Sequence, residues 1–169
     1  MTQSNNLASE TEALREAYAA LNRNDIPGFM QIFDPEIERV EPEGFPTSGT
    51  YRGLESLTAI FSQARSTWAE GSCEPDRFLV AGDKIVVFVH VLVRLKDKTD
   101  WIDARIADVY TWRDGKAIQF RTFADEHSGP RLGRGRRTRA RLNTITIVFA
   151  TGVNDKTSDK SRPDGERLS

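Results

Sequence analysis

The sequence predicts an α+β domain, with helices gathered early in the chain and packed on one face of a curved, mainly antiparallel sheet. Three observations carry this prediction. Apolar residues recur at helical spacing up to Trp68, long apolar runs follow from Phe78 onward, and turn pairs at Gly82-Asp83 and Asp114-Gly115 punctuate those runs. A chain of 169 residues is expected to form one domain able to bury a core.

The first helix is expected to open on Ser9 and Glu12, a spacing that lets each side chain satisfy the other's backbone N–H. Leu14, Ala17, Tyr18 and Leu21 then build one apolar face. Asn24 and Asp25 end that helix and cap a second, with Pro27 in its first turn. Phe29, Ile32 and Phe33 are its apolar side, and Pro35 is expected to stop it.

Residues 36–41 read as a short strand, broken by Pro42, Gly44 and Pro46. A loop is expected up to Gly53, after which Leu57, Ile60, Phe61, Ala64 and Trp68 mark a third helix. Phe78 and Val80 belong to a strand that turns at Gly82-Asp83 into the run 85–95. Another strand spans 101–112, and Asp114-Gly115, both tolerant of positive φ, joins it to a last strand at 117–124. The run 85–95 is apolar on both parities, so one face suits the helices and the other a homodimer interface.

Composition narrows the function classes. That run is about half of what a bilayer crossing needs, so no membrane span is expected. The first residues lack a basic start and an apolar stretch, so no secretory leader is expected and cytoplasm is the default location. A lone Cys73 excludes an internal disulfide, and with only His90 and His127 beside it no metal site is expected. No phosphate-binding loop is present, and no cofactor is implied.

The net charge of −1 hides an asymmetry. From Ser128 onward there are ten basic and four acidic residues, against 14 and 21 in the preceding body. The chain is therefore expected to divide into a domain at 1–127 and a basic, flexible tail at 128–169. Six arginines within 131–141, without interleaved aromatics, suit a solvated linker with at most weak, salt-sensitive nucleic-acid contact.

Candidate chemistry begins with strand 101–112. Ile102, Ala104, Ile106, Asp108, Tyr110 and Trp112 share one face; Asp103 and Arg105 lie on the other, where they suit a surface ion pair. An aspartate among apolar and aromatic neighbours is costly to ionise and, if neutral, can donate to an oxyanion. Tyr18 on the first helix could place a second donor in the same cavity, and Glu41 could serve as a base. Phe33, Phe61, Tyr110, Trp112 and Asp125 are expected to line a pocket for a small hydrophobic ligand. His90 shares a face with Val86, Phe88 and Leu92 and reads as a core or cavity-lining histidine.

The stretch Ala13-Leu-Arg-Glu-Ala-Tyr18, then Asp25 to Phe33, Val40-Glu-Pro-Glu-Gly44 and Ser48-Gly49 resembles the opening of the ketosteroid isomerase-like and SnoaL-like branches of the NTF2-like superfamily. Ala107-Asp-Val-Tyr110 followed by Asp114-Gly-Lys116 resembles their penultimate hairpin, so the likeness covers roughly residues 9–127. It implies a cone-shaped fold and, as activities, isomerisation or polyketide cyclisation. By the isomerase pattern Tyr18 and Asp108 are the oxyanion donors and Glu41, before Pro42, is the base. The family has aspartate at that base position; the extra methylene of Glu41 can displace its carboxylate by about an ångström, at a cost on the order of 10²-fold. The cyclase pattern uses a single cavity acid, which Asp108 or Asp125 could supply. The epoxide-hydrolase pattern of one Arg and two Asp fits Asp103 and Arg105 less well. The rival to all of these is a non-catalytic module whose cavity is filled by Phe29, Phe33, Phe61 and Trp112.

Overall fold

The computed structural model describes residues 7–41 and 49–124. In chain order these form α1 (Ala8–Asn22), α2 (Ile26–Met30), β1 (Phe33–Glu41), β2 (Gly49–Arg52) and α3 (Leu54–Ser66). Four long strands complete the body: β3 (Trp68–Ala81), β4 (Lys84–Leu95), β5 (Trp101–Arg113) and β6 (Lys116–Ala124). The six strands make one sheet in the order β2-β1-β6-β5-β4-β3, antiparallel throughout except where β1 runs parallel to β6. The α+β class and mainly antiparallel sheet are those expected.

Several local expectations are corrected. Helix α1 starts at Ala8 behind Leu7 with no side-chain cap, so Ser9 lies inside the helix and its hydroxyl meets Glu10 instead of closing a box with Glu12. Asp25 does cap α2, accepting from the Gly28 amide at 2.9 Å with Pro27 in the first turn. That helix ends at Met30, well before Pro35, which sits inside β1. An irregular register between Phe33 and Glu38 of β1 in its pairing with β6 accommodates the proline's missing N–H. Residues 49–52, expected as loop, add the edge strand β2. Trp68, expected on the third helix, instead opens β3 opposite Leu95.

The two hairpins follow their turn residues. Asp114 and Gly115 have φ of 51° and 76°, so a two-residue turn joins Arg113 to Lys116. Gly82, with φ of 62°, and Asp83 form the two-residue connection between Ala81 and Lys84, with positive φ at the glycine alone.

All helices lie on one face of the sheet. In β4 the odd positions Ile85, Val87, Val89, Val91 and Val93 are fully buried there, each worth about 1.5–3 kcal/mol of apolar burial. Leu14, Ala17, Tyr18 and Leu21 of α1 and Leu57 and Phe61 of α3 belong to the same buried core. Edge strand β3 is tied to α1 by Asn22, whose side chain accepts from the Cys73 amide and donates to the Cys73 carbonyl at 2.8 and 3.0 Å. Arg65 of α3 caps the end of α1 by donating to the carbonyls of Leu21 and Asn22.

Candidate active site

The layer between α1 and the sheet holds a chain of polar side chains. Asp108 of β5, 4% exposed, receives the Tyr18 hydroxyl on one carboxylate oxygen at 2.5 Å and the Thr122 hydroxyl on the other at 2.7 Å. Tyr18 and Tyr110 share a further hydroxyl hydrogen bond of 2.9 Å. At the other end, an Arg39 guanidinium nitrogen stands 3.4 Å from the Thr122 oxygen. Five side chains from α1, β1, β5 and β6 are thus joined in one network.

Alternation places these groups together. Asp108 and Tyr110 share the buried parity of β5, and Tyr18 lies on the apolar stripe of α1 facing it. Thr122 arrives opposite Asp108 through an irregularity in the last hairpin. Arg113 pairs with Lys116 and Trp112 with Ala117, but a register shift after Trp112 sets Thr111 against Gln119 and Asp108 against Thr122. An unshifted ladder would have set Arg121 there.

Arg39 of β1 pairs with Phe120 in the parallel ladder, and its guanidinium lies 4.2 Å above that ring and 5.2 Å from the ring of Phe61. It is 2% exposed, a buried charge held against two aromatic faces.

Direction can be assigned along this chain. Arginine has no acceptor, so Thr122 accepts from Arg39, and its own hydrogen is then available for Asp108. Burial pushes the Tyr18 hydroxyl well above the usual tyrosine range, and the adjacent Asp108 carboxylate pushes it further. Burial and Asp108 likewise raise Tyr110, against opposing effects of the Tyr18 hydrogen bond and then of Arg39. Both phenols are therefore neutral donors near pH 7.

A small cavity adjoins this network, lined by Tyr18, Asp108, Tyr110, Phe29, Phe61 and Phe120 among others, with Cys73 at its wall. Its free volume of about 10 Å³ corresponds to at most one water molecule. Tyr110 and Phe120 stack at 4.5 Å, and Phe61 meets Phe29 edge-on at 4.8 Å. Burial raises the Cys73 thiol, which makes it a poor nucleophile.

Of the expected site residues, Tyr18, Asp108, Tyr110 and Phe61 therefore meet at one cavity. Phe33 stands one layer behind, stacked on Phe120 at 5.9 Å, and Trp112 is buried without reaching the cavity lining. Glu41 closes β1 opposite Gly49, but its side chain lies outside the described part. Asp125, His127 and the tail also lie outside the described residues.

His90 is corrected. Its parity faces away from the helices, and its Nε2 is 2.7 Å from Asp103. Asp103 and Arg105 do not pair with each other as expected: Asp103 takes His90, while Arg105 takes Asp76.

Thr122 and Arg39 escaped sequence reasoning. The register shift concealed the first, while Arg39 showed itself only by sharing the parity of buried Ile37. Among the described residues no cluster of His, Cys, Asp and Glu suits a metal ion, and no helix is long and apolar enough to cross a membrane.

Comparison with known proteins agrees with this architecture. Residues 14–120 match the SnoaL-like domain. Among solved structures, an NTF2-like protein of unknown function from Burkholderia pseudomallei is 25% identical, with a TM-score of 0.61 over 68% of this chain and 89% of that one. TerC, co-crystallised with polyporic acid, is 26% identical, with a TM-score of 0.60 over 68% and 90%. A protein with a ketosteroid isomerase-like fold from Catenulispora acidiphila, in complex with trimethylamine, matches at 12% identity and a TM-score of 0.60 over 68% and 86%, a likeness of fold alone. No curated protein matches the chain.

Proposed function

The chain belongs to the SnoaL-like domain family, and we propose that its cavity serves cofactor-independent proton transfer on a small, mostly apolar carbonyl compound. The reaction is an isomerisation or an intramolecular aldol cyclisation through an enolate. The observation that carries the reading is the 2.5 Å hydrogen bond between Tyr18 and Asp108 in an aromatic cavity, which sets a proton donor beside a proton acceptor. The likeness to TerC, whose structure holds polyporic acid, supports a small organic ligand.

In the version that the hydrogen-bond directions favour, the Asp108 carboxylate takes the proton from the carbon beside the carbonyl. The Tyr18 hydroxyl, backed by Tyr110, turns to donate to the developing enolate oxygen. Asp108 then returns the proton to another carbon of the same molecule, or to the alkoxide formed when the ring closes. In the version drawn from the isomerase likeness, Glu41 is the base and Asp108, carrying a proton, is a donor beside Tyr18. Either version requires rings among Phe29, Phe61 and Phe120 to swing aside, since the cavity holds one water at most.

Deuterium uptake from D₂O into a panel of small ketones, followed by NMR, tests the activity and separates the versions. With Asp108 as base, Asp108→Asn loses about 10²–10⁴-fold of the exchange rate while Glu41→Gln keeps most of it. The reverse pattern assigns the base to Glu41. Wild-type exchange no faster than buffer, for every ketone of the panel, removes the catalytic reading for that class.

One observation favours a second reading. A free volume of about 10 Å³ among close-packed rings is what a scaffold would show, with Tyr18 and Asp108 as structural partners. A homodimer belongs to both readings, supported by exposed Leu79, Leu92, Trp101 and Phe123. A monomer by sedimentation at micromolar concentration contradicts it.

A further inference from the structure

Among the described residues, the buried polar side chains include two of ionisable type, Arg39 and Asp108, and one hydroxyl, that of Thr122, joins them. A guanidinium does not lose its proton in a protein, so Arg39 brings a fixed positive charge into the core and favours a negative one nearby. It is packed in place: the ring of Phe120 lies 4.2 Å beneath it, and the strand pairing sets the two residues side by side. Thr122 is fixed in turn by the register shift of the last hairpin.

We propose that Arg39, acting through Thr122, is a positioning residue that holds Asp108 as an ionised hydrogen-bond acceptor, and so sets it as the proton-accepting group of the cavity. The proposal rests on the functional reading above only for the word proton-accepting; the ionisation of Asp108 stands on the network itself. Among the described residues, Thr122 links Asp108 to the buried cation of Arg39. Helix α1 presents Tyr18, β5 presents Tyr110 and β3 presents Cys73, all neutral near pH 7 because burial raises each. Strand β4 presents Val87 and Val89, and the helices behind present Phe29 and Phe61. Arg65 of α3 acts on Cys73 and sits at the end of α1, where its hydrogen bonds go to backbone carbonyls.

The test is carboxyl-carbon NMR titration of the full chain labelled at aspartate, with Asp108 assigned by the Asp108→Asn variant. Wild type is expected to show Asp108 ionised at pH 7. Thr122→Val, nearly isosteric, is expected to raise its titration midpoint by about one pH unit or more, the scale of a lost charge-linked hydrogen bond. Arg39→Met is expected to raise it further and Arg39→Lys to restore part of the shift. A protonated Asp108 at pH 7 in wild type, or an unmoved midpoint in Thr122→Val, overturns the proposal. Should Arg39→Met fail to fold, Thr122→Val alone decides. Because no ligand is involved, an ionised Asp108 together with absent ketone exchange would sink the catalytic reading and leave this inference standing.

Discussion

Two aspartates five residues apart on β5 show what one face of a sheet does to a carboxylate. Asp103 points away from the helices, about half exposed, with His90 at 2.7 Å. Asp108 points toward them, 4% exposed, and is held by two hydroxyls. The two side chains are chemically identical and parity alone separates them. Water can replace the partner of Asp103, whereas nothing replaces the partners of Asp108. The outer carboxylate is therefore nearly free to change, and the inner one is bound to everything around it.

Substitutions should widen or close that gap in a fixed order. Asp108→Leu leaves the Tyr18 and Thr122 hydroxyls without their shared acceptor, and removes the carboxylate linked through Thr122 to the buried Arg39; it is expected to cost about 3–5 kcal/mol in chemical denaturation. A loss below about 1 kcal/mol would mean that the network carries little of the fold. Tyr18→Phe removes one donor and keeps the ring, so about 1–3 kcal/mol is expected by the same measurement.

Alkali should act next. The folded state raises the tyrosines above their unfolded value of about 10, so the unfolded chain releases those protons first. Their contribution to stability is complete below about pH 10 and declines as pH rises beyond it, by about 1.4 kcal/mol per pH unit for each tyrosine. Tyr18→Phe should remove one of the two contributions; an unchanged slope between pH 10 and 11 would contradict the burial of its hydroxyl. Asp103→Asn should come last, costing under about 1 kcal/mol and less still in high salt.

What could be read from the sequence follows the same division. Alternation along β5 separated Asp108 from Asp103, because a strand with a mixed face announces its inside. Alternation along β4 did not, since Val86, Phe88 and Leu92 are as apolar as the buried set, and His90 was drawn toward the core with them. Asp114-Gly115 announced its hairpin, but the register shift after Trp112 left no signature, and with it Thr122 was lost. Trp68 and Phe33 fit a helical period yet lie in strands, where pairing with Leu95 and Ala117 outweighs the period of the segment before them. Ser9 had the spacing of a cap but lies one residue inside a helix that begins on Ala8.

The central claim is that the Tyr18–Asp108 cavity opens to a small apolar molecule and grips its oxygen. Titration with a two-ring fluorescent phenol, in wild type and Tyr18→Phe across pH 6–9, tests it most directly. The account predicts saturable binding in wild type, weakened about tenfold or more in Tyr18→Phe, as expected for about 1.4 kcal/mol of hydrogen bonding to the ligand oxygen. No binding, or equal binding by the two proteins, would contradict it and make the filled cavity a structural core.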